Sequence, residues 1–208
     1  MPLVFYPGSF DPPTRAHLNL VTRLVRLFPP EKMLDADQPL DVEPRVVVGV
    51  GLNPQKVSSS WFTAEERVEL LRRSVESAPD LPPNSVECTS YLGLTYVAAK
   101  QAGADTLVRG LRNSSDLDPE MSLAAFHRRV AGLDTLYLFS ADQFLNLSSS
   151  HVKEVWEFGG KEPQHLAPLV PSPVLKALQL LSVWDMRDSE RPSFMELETL
   201  HEQPKPPA

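Results

Sequence analysis

The chain has 208 residues, a net charge of −7, 42% apolar and 23% charged residues, which describe an ordinary globular domain with enough material for a proper core. The acidic balance argues against general nucleic-acid binding, although a few local arginines can still hold a small anion. A single cysteine, Cys88, excludes an internal disulfide and fits a reducing compartment; with no signal peptide and no apolar run near the roughly 18 residues of a membrane span, a cytoplasmic chain without membrane contact is expected.

In chain order, Leu3, Val4 and Phe5 open a short apolar strand, and a Gly/Pro turn leads into the stretch Tyr6 to Leu20. Thr14 reads as a helix N-cap, which puts His17 at the third helical position. The helix runs from about Arg15 to Phe28, with Leu18, Val21, Leu24, Val25 and Phe28 on one face. Residues 29–44 hold four prolines and five acidic residues against one lysine, so an exposed, mobile inserted loop is expected.

Arg45 to Leu52 is β-branched and apolar without alternation, the pattern of a strand buried on both faces. Thr63 and Glu66 form a capping box for a second helix that reaches about Ser77. A short strand at Ser85 to Cys88 precedes a helix at Gly93 to Gly103. Ala104 to Arg112 reads as a strand ending in a basic loop, and Asp116 to Ala131 as a helix. Thr135 to Phe139 is a strand; Ser148 to Phe158 and Ser172 to Leu181 are helices. This alternation predicts an α/β fold, a doubly wound parallel sheet in a single domain over residues 1–182. Residues 183–208 form an acidic, Pro-rich tail, expected to be disordered in its last ten residues.

The polar motifs at Ser9, Lys56, Arg109 and Ser148 all follow strands, where ligands bind in such sheets. Gly8 permits close backbone approach, Ser9 offers a hydroxyl, and a helix start attracts phosphate. Near that positive helix end, His17 is expected to be neutral and to donate a hydrogen bond. Arg109 and Arg112, separated by Gly110 and Leu111, carry guanidinium forks that match phosphate oxygens. Ser148, Ser149 and Ser150 open a helix with three hydroxyls. Each feature also has a plain reading as a capping turn, two solvated arginines or a helix cap. His127, His151, His165 and His201 show no metal-ligand spacing, so no protein-held metal is expected.

YPGSFDPPTRAH resembles the first motif of the HxGH-type nucleotidyltransferases, with Thr14 in the first position and Ala16 where that family has glycine. The threonine and the preceding YPGSFDP are similar to the phosphopantetheine adenylyltransferase family in particular. Three further stretches follow in that family's order. NPQK supplies Lys56; RGLR leads into Asp118-Pro119-Glu120-Met121, with Pro119 where an aromatic is common; and Leu147 precedes SSSHVKEV. The resemblance covers roughly residues 3 to 180 outside the insertion.

The resemblance implies a Rossmann-like nucleotidyltransferase fold, and a reaction in which 4′-phosphopantetheine takes the adenylyl group of ATP to give dephospho-coenzyme A and pyrophosphate. Magnesium would be carried with ATP, and the chain would assemble as a homo-oligomer, a hexamer in the family. It implies that Ser9, Lys56, Leu94 and Arg109 bind the acceptor, and that His17 and Arg112 contact the reacting phosphates. ATP would meet Ser9, Phe10, His17, Gly110, Leu111, Arg112 and Glu120. The segment Phe144, Leu145, Asn146, Leu147, Ser148, Ser149 and Ser150 would grip it as well. Three alternatives stand beside this: a nicotinate-mononucleotide adenylyltransferase, a cytidylyltransferase using CTP, and a catalytically idle scaffold that binds another protein.

Overall fold

The structure, a computed structural model, describes residues 2–32, 42–52 and 59–202. Its centre is a five-stranded parallel sheet in the order β5-β4-β1-β6-β7. The strands are β1 (Val4–Gly8), β4 (Val46–Leu52), β5 (Val86–Leu92), β6 (Thr106–Leu111) and β7 (Asp134–Phe139). The chain builds one half outward from β1 through β4 to β5, then returns to the other side of β1 for β6 and β7. The order therefore reverses between β1 and β6, and the loops leaving these strands diverge there to open a crevice.

Alternation of side chains along each strand feeds two cores. Val4, Tyr6, Val46, Val48 and Val50 pack under α1 (Arg15–Leu27) and α2 (Ala64–Glu76). Phe5, Val47 and Leu107 pack with Ala99 and Leu133 on the other face, beneath α3 (Thr95–Gln101) and α4 (Ser114–Ala131). Gly49 sits directly over the Phe5 ring: a Cβ there would come within 2.2 Å of the ring carbon Cζ. The doubly wound sheet expected from the sequence is the one observed.

A third core lies off the sheet, formed by α5 (Ser149–Phe158), α6 (Pro163–Leu166), α7 (Ser172–Leu180) and α8 (Phe194–Glu202). Trp61, Phe62, Leu70, Trp156, Leu178 and Phe194 are all buried in it. This cluster braces the beginning of α1, whose first N–H, from Arg15, donates to the Leu169 carbonyl at 2.9 Å.

Several boundaries differ from the sequence reading. The strand expected to end at Cys88 runs on to Leu92, because Thr89 and Ser90, polar and turn-like in sequence, lie on an edge strand paired along β4. The helix expected from Asp116 begins at Ser114, capped by Asn113, whose side chain accepts from the Asp116 N–H. Residues 29–44 were expected to lack structure, yet β2 (Glu31–Lys32) and β3 (Val42–Glu43) pair antiparallel at the base of the insertion; residues 33–41 lie outside the described residues.

The largest correction concerns the tail. The sequence sets it apart from residue 183, but Met186 and Phe194 are buried in the third core and α8 continues to Glu202; of the last ten residues, 203–208 lie outside the described residues. Arg191 and Glu66 form an ion pair at 2.7 Å with side chains only 6% and 1% exposed. Burial pushes the Glu66 carboxyl upward. The hydrogen bonds from Arg191 and from the Thr63 and Phe194 N–H groups prevail and hold it below its usual range.

Candidate active site

The crevice at the switch point is a cleft of about 400 Å³. Parts of three of the four sequence motifs meet in its walls: Gly8 to Phe10 with His17 on α1; Arg109, Gly110 and Arg112 with Glu120; and Leu147 to Ser150. A second cleft of about 630 Å³ shares Pro7, Gly8, Ser9 and Arg109 with the first and continues over Gly51, Leu52, Tyr91, Gly93 and Thr95. Ser9 and Arg109 thus stand where the two meet.

His17 owes its state to the start of α1. Thr14 caps the helix, accepting from the His17 N–H at 3.4 Å, and the Thr14 N–H donates back to His17 Nδ1 at 3.0 Å. A backbone N–H can only donate, so Nδ1 carries no proton and the neutral ring bears its hydrogen on Nε2. Burial, with the Arg112 charge as a smaller influence, lowers the His17 pKa to about 4. These contacts agree with a neutral ring and leave the hydrogen on Nε2 as its donor.

Phe10 lies beneath this ring. Its own ring is buried, edge-on to Tyr6 at 5.4 Å between centroids and to His17 at 5.0 Å. The backbone there adopts φ +48°, a left-handed conformation that costs a bulky residue free energy and that the ring's packing holds in place. Gly8 accommodates it, since a Cβ at that position would lie 2.7 Å from the Phe10 ring.

Each arginine has its own carboxylate. Glu120 takes Arg109 Nε at 2.6 Å and its Nη2 through the second oxygen, a two-pronged grip. Arg109 Nη1 lies 3.5 Å from the Pro7 carbonyl. Arg112 donates its backbone N–H at 2.9 Å and its Nε and Nη2 at 3.2 Å to Asp116. The bond to Arg112 is the main cause holding the Asp116 carboxyl below its usual range. Both guanidinium groups are therefore oriented while 29% and 41% of their side chains stay exposed.

The serine run is divided in its tasks. Ser148 caps α5, accepting from the His151 N–H at 3.1 Å, and Ser149 Oγ donates to the Pro12 carbonyl at 2.8 Å. Of the segment expected to grip ATP, Leu147 to Ser150 line the cleft, whereas Phe144, Leu145 and Asn146 do not. Phe144 instead packs toward the third core. Leu111 is fully buried and contributes its carbonyl to the Ser140 N–H, so only its backbone belongs near the site. Leu94 precedes α3 and is 57% exposed; its neighbours Gly93 and Thr95 line the second cleft in its stead. Lys56 lies outside the described residues.

Three residues that hold the loops together were not singled out from the sequence. Asp11, 7% exposed, accepts from the Trp61 N–H at 3.0 Å, the Phe62 N–H at 2.9 Å and Lys153 Nζ at 2.5 Å. Lys153 also donates to the Ser59 carbonyl at 3.0 Å. Arg67 donates Nη1 to the Ser9 carbonyl at 3.0 Å. The available signals were Asp11 inside SFDP and Lys153 one helical turn after Ser149, but nothing local ties two residues 142 positions apart. Among the described residues no group of three His, Cys, Asp or Glu side chains is arranged to hold a metal ion.

The lowered His17 pKa has a measurable consequence. A depressed histidine contributes stability that is fully present above its unfolded value of 6.5 and is lost as pH falls toward the folded value of about 4. Across pH 5.5 to 8 the ring of the folded protein should show no titration and a single Nε2–H tautomer by ¹⁵N NMR. A midpoint near pH 6.5 would show that the ring is not held as described.

Residues 5–155 match the family model described as cytidylyltransferase-like. Among curated proteins, the chain is 38% identical over 180 residues to the phosphopantetheine adenylyltransferase of Allorhizobium ampelinum, covering 86% of this chain and 97% of that one. The enzyme of the same name from Frankia alni is also 38% identical, over 83% of this chain and 93% of its own. That from Haemophilus influenzae is 34% identical, over 86% and 99%. Among solved structures, Plasmodium falciparum nicotinic acid mononucleotide adenylyltransferase complexed with NaAD superposes with a TM-score of 0.51 at 12% identity, over 89% of this chain and 97% of that one, a likeness of fold alone. With these relatives, and with the first, the arginine and the serine motifs meeting at one crevice, the chain belongs to the phosphopantetheine adenylyltransferases of the cytidylyltransferase-like family.

Proposed function

We propose that this protein transfers the adenylyl group of ATP to the phosphate of 4′-phosphopantetheine, forming dephospho-coenzyme A and pyrophosphate. The observation that carries the proposal is the meeting of the two clefts at Ser9 and Arg109, with His17, Arg112 and the serine-rich helix start on the nucleotide side. An acceptor phosphate oxygen attacks the α-phosphorus of ATP as the bond to the bridging β-phosphate oxygen breaks. The acceptor is already an anionic nucleophile at neutral pH, so no covalent enzyme intermediate is required.

The protein's task is to bring two anions together and to steady the charge that builds on the α-phosphate. Ser9 and Arg109 would hold the acceptor phosphate at the junction, with the pantetheine arm along the second cleft past Tyr91 and Thr95. Lys56 would join them from the loop after β4. Arg112 and the helix start at Ser148 to Ser150 would take the departing phosphates. His17 would donate Nε2–H without adding a formal charge. Its neutrality allows the same hydrogen bond across the physiological pH range. Glu120 acts in this scheme by aiming Arg109. ATP arrives as its magnesium complex, the ion riding on the phosphates.

A homo-oligomer completes the proposal. Its support is an apolar row on α3 and α4, where Val97, Met121, Phe126 and Val130 are 39% to 54% exposed. A monomer mass by sedimentation at micromolar concentration would remove that part.

The test of the reaction is pyrophosphate release from magnesium-ATP, with phosphopantetheine or nicotinate mononucleotide as acceptor and CTP as competing nucleotide. Release is expected with ATP and phosphopantetheine only, and His17→Ala should lower kcat by about 10²–10³-fold, the scale for losing one preorganised donor. Release with nicotinate mononucleotide alone would reassign the acceptor. No release from folded protein would leave a binding scaffold.

A further inference from the structure

Arg191 lies in the C-terminal segment, far in sequence from either cleft, yet its side chain is only 6% exposed. Nη2 donates to the Trp61 carbonyl at 2.5 Å and to Glu66 Oε2 at 2.7 Å. Nη1 donates to Glu66 Oε1 and to the Pro192 carbonyl, each at 3.0 Å. The guanidinium also stacks over the Phe62 ring, 5.6 Å from its centroid.

The peptide unit between Trp61 and Phe62 is thereby bonded at both ends. Its carbonyl accepts from Arg191, and its N–H, that of Phe62, donates to Asp11 at 2.9 Å. Asp11 is two residues from Ser9, at the junction of the clefts. A second leg runs beside the first. Glu66, gripped by Arg191, accepts from the Thr63 N–H at 2.9 Å and so fixes the start of α2, and the next residue, Arg67, donates to the Ser9 carbonyl at 3.0 Å. Both legs begin at one guanidinium and end on one loop.

The segment bearing Arg191 is itself anchored. The Phe194 N–H reaches Glu66 Oε1 at 3.2 Å, the Phe194 ring packs edge-on to Phe62 at 6.4 Å, and Arg73 pairs with Glu198 at 2.6 Å. Burying an ion pair adds little net stability compared with apolar side chains of the same volume, because both charges must leave water. What this pair does supply is geometry, since a planar fork bonded to four oxygens fixes where the Trp61 carbonyl can lie.

We propose that Arg191 is a positioning residue for the transfer reaction, holding the Ser9–Asp11 loop in its binding geometry through the Trp61–Phe62 peptide unit and Glu66. The proposal rests on the adenylyl-transfer reading for its kinetic consequence, while the positioning itself can be read without it. The hydrogen bonds that set the His17 tautomer come from Thr14 at the start of α1, and its link to this loop is the ring contact with Phe10, so the acceptor side of the site should respond more strongly than His17.

The experiment compares wild type with R191M and R191K in the full chain. Amide hydrogen exchange is read at Trp61 and Phe62 against Val47 and Val48 in β4, and steady-state kinetics with ATP and phosphopantetheine run alongside. In R191M, exchange at Trp61 and Phe62 should rise about tenfold with no change in β4, and KM for phosphopantetheine should rise about tenfold with kcat within about threefold. R191K keeps the charge, but one ammonium cannot replace the fork, so the same changes are expected at smaller size; it carries the test if R191M does not fold. Wild-type exchange and KM, with only a lower Tm, would overturn the proposal and make Arg191 a simple brace. Exchange is measured on the protein alone, so it decides the positioning role even if wild type fails to transfer, an outcome that would instead count against the reaction.

Discussion

One buried carboxylate organises the site. Asp11 leaves the first strand's loop and collects the Trp61 and Phe62 N–H groups and the Lys153 ammonium, from the approach to α2 and from α5. A carboxylate taken out of water must be matched by donors or it destabilises the fold, and the donors here arrive on two other segments, the approach to α2 and α5. Satisfying Asp11 therefore brings the loop after β1, the start of α2 and the serine-bearing helix to fixed mutual positions. The clefts are the space these segments leave between them.

The parallel sheet supplies the remainder. Reversal of strand order between β1 and β6 opens the crevice, and the loops at the strand ends carry the polar groups into it. Charge is arranged before any substrate arrives: Glu120 aims Arg109, Asp116 aims Arg112, and Thr14 fixes which nitrogen of His17 carries the proton. Donors set in advance need little reorganisation as charge develops, which is how a site with no covalent nucleophile can promote transfer between two phosphates.

Much of this was legible in the sequence because its signals are local. Thr14 three residues before His17 is a capping geometry, and Arg45 to Leu52 could hardly be other than a buried strand. RGLR at a strand end marks where two cations emerge. The misreadings have the opposite character. β5 was cut short because Thr89 and Ser90 are polar, and only pairing with β4 makes them a strand. Leu94 and Leu111 are expected at the site from the resemblance, but one stands outside the cleft lining and the other turns into the core, which spacing along the chain does not reveal. The Asp11–Lys153 and Arg191–Glu66 contacts span 142 and 125 residues and exist only after the chain has folded. The tail reads as separate from the domain because it is acidic and ends in prolines, yet Met186 and Phe194 are buried in the third core.

The most direct measurement is of Asp11→Ala, comparing turnover with native structure at the same temperature. Removing the carboxylate leaves two N–H groups and an ammonium without their acceptor, so the three segments should drift apart while the five-stranded sheet persists. The expected result is a folded protein, judged by circular dichroism, whose kcat/KM for adenylyl transfer falls by about 10²-fold or more, the scale for reacting groups displaced by an ångström. A folded Asp11→Ala protein with turnover near that of wild type would contradict the claim that this carboxylate assembles the site.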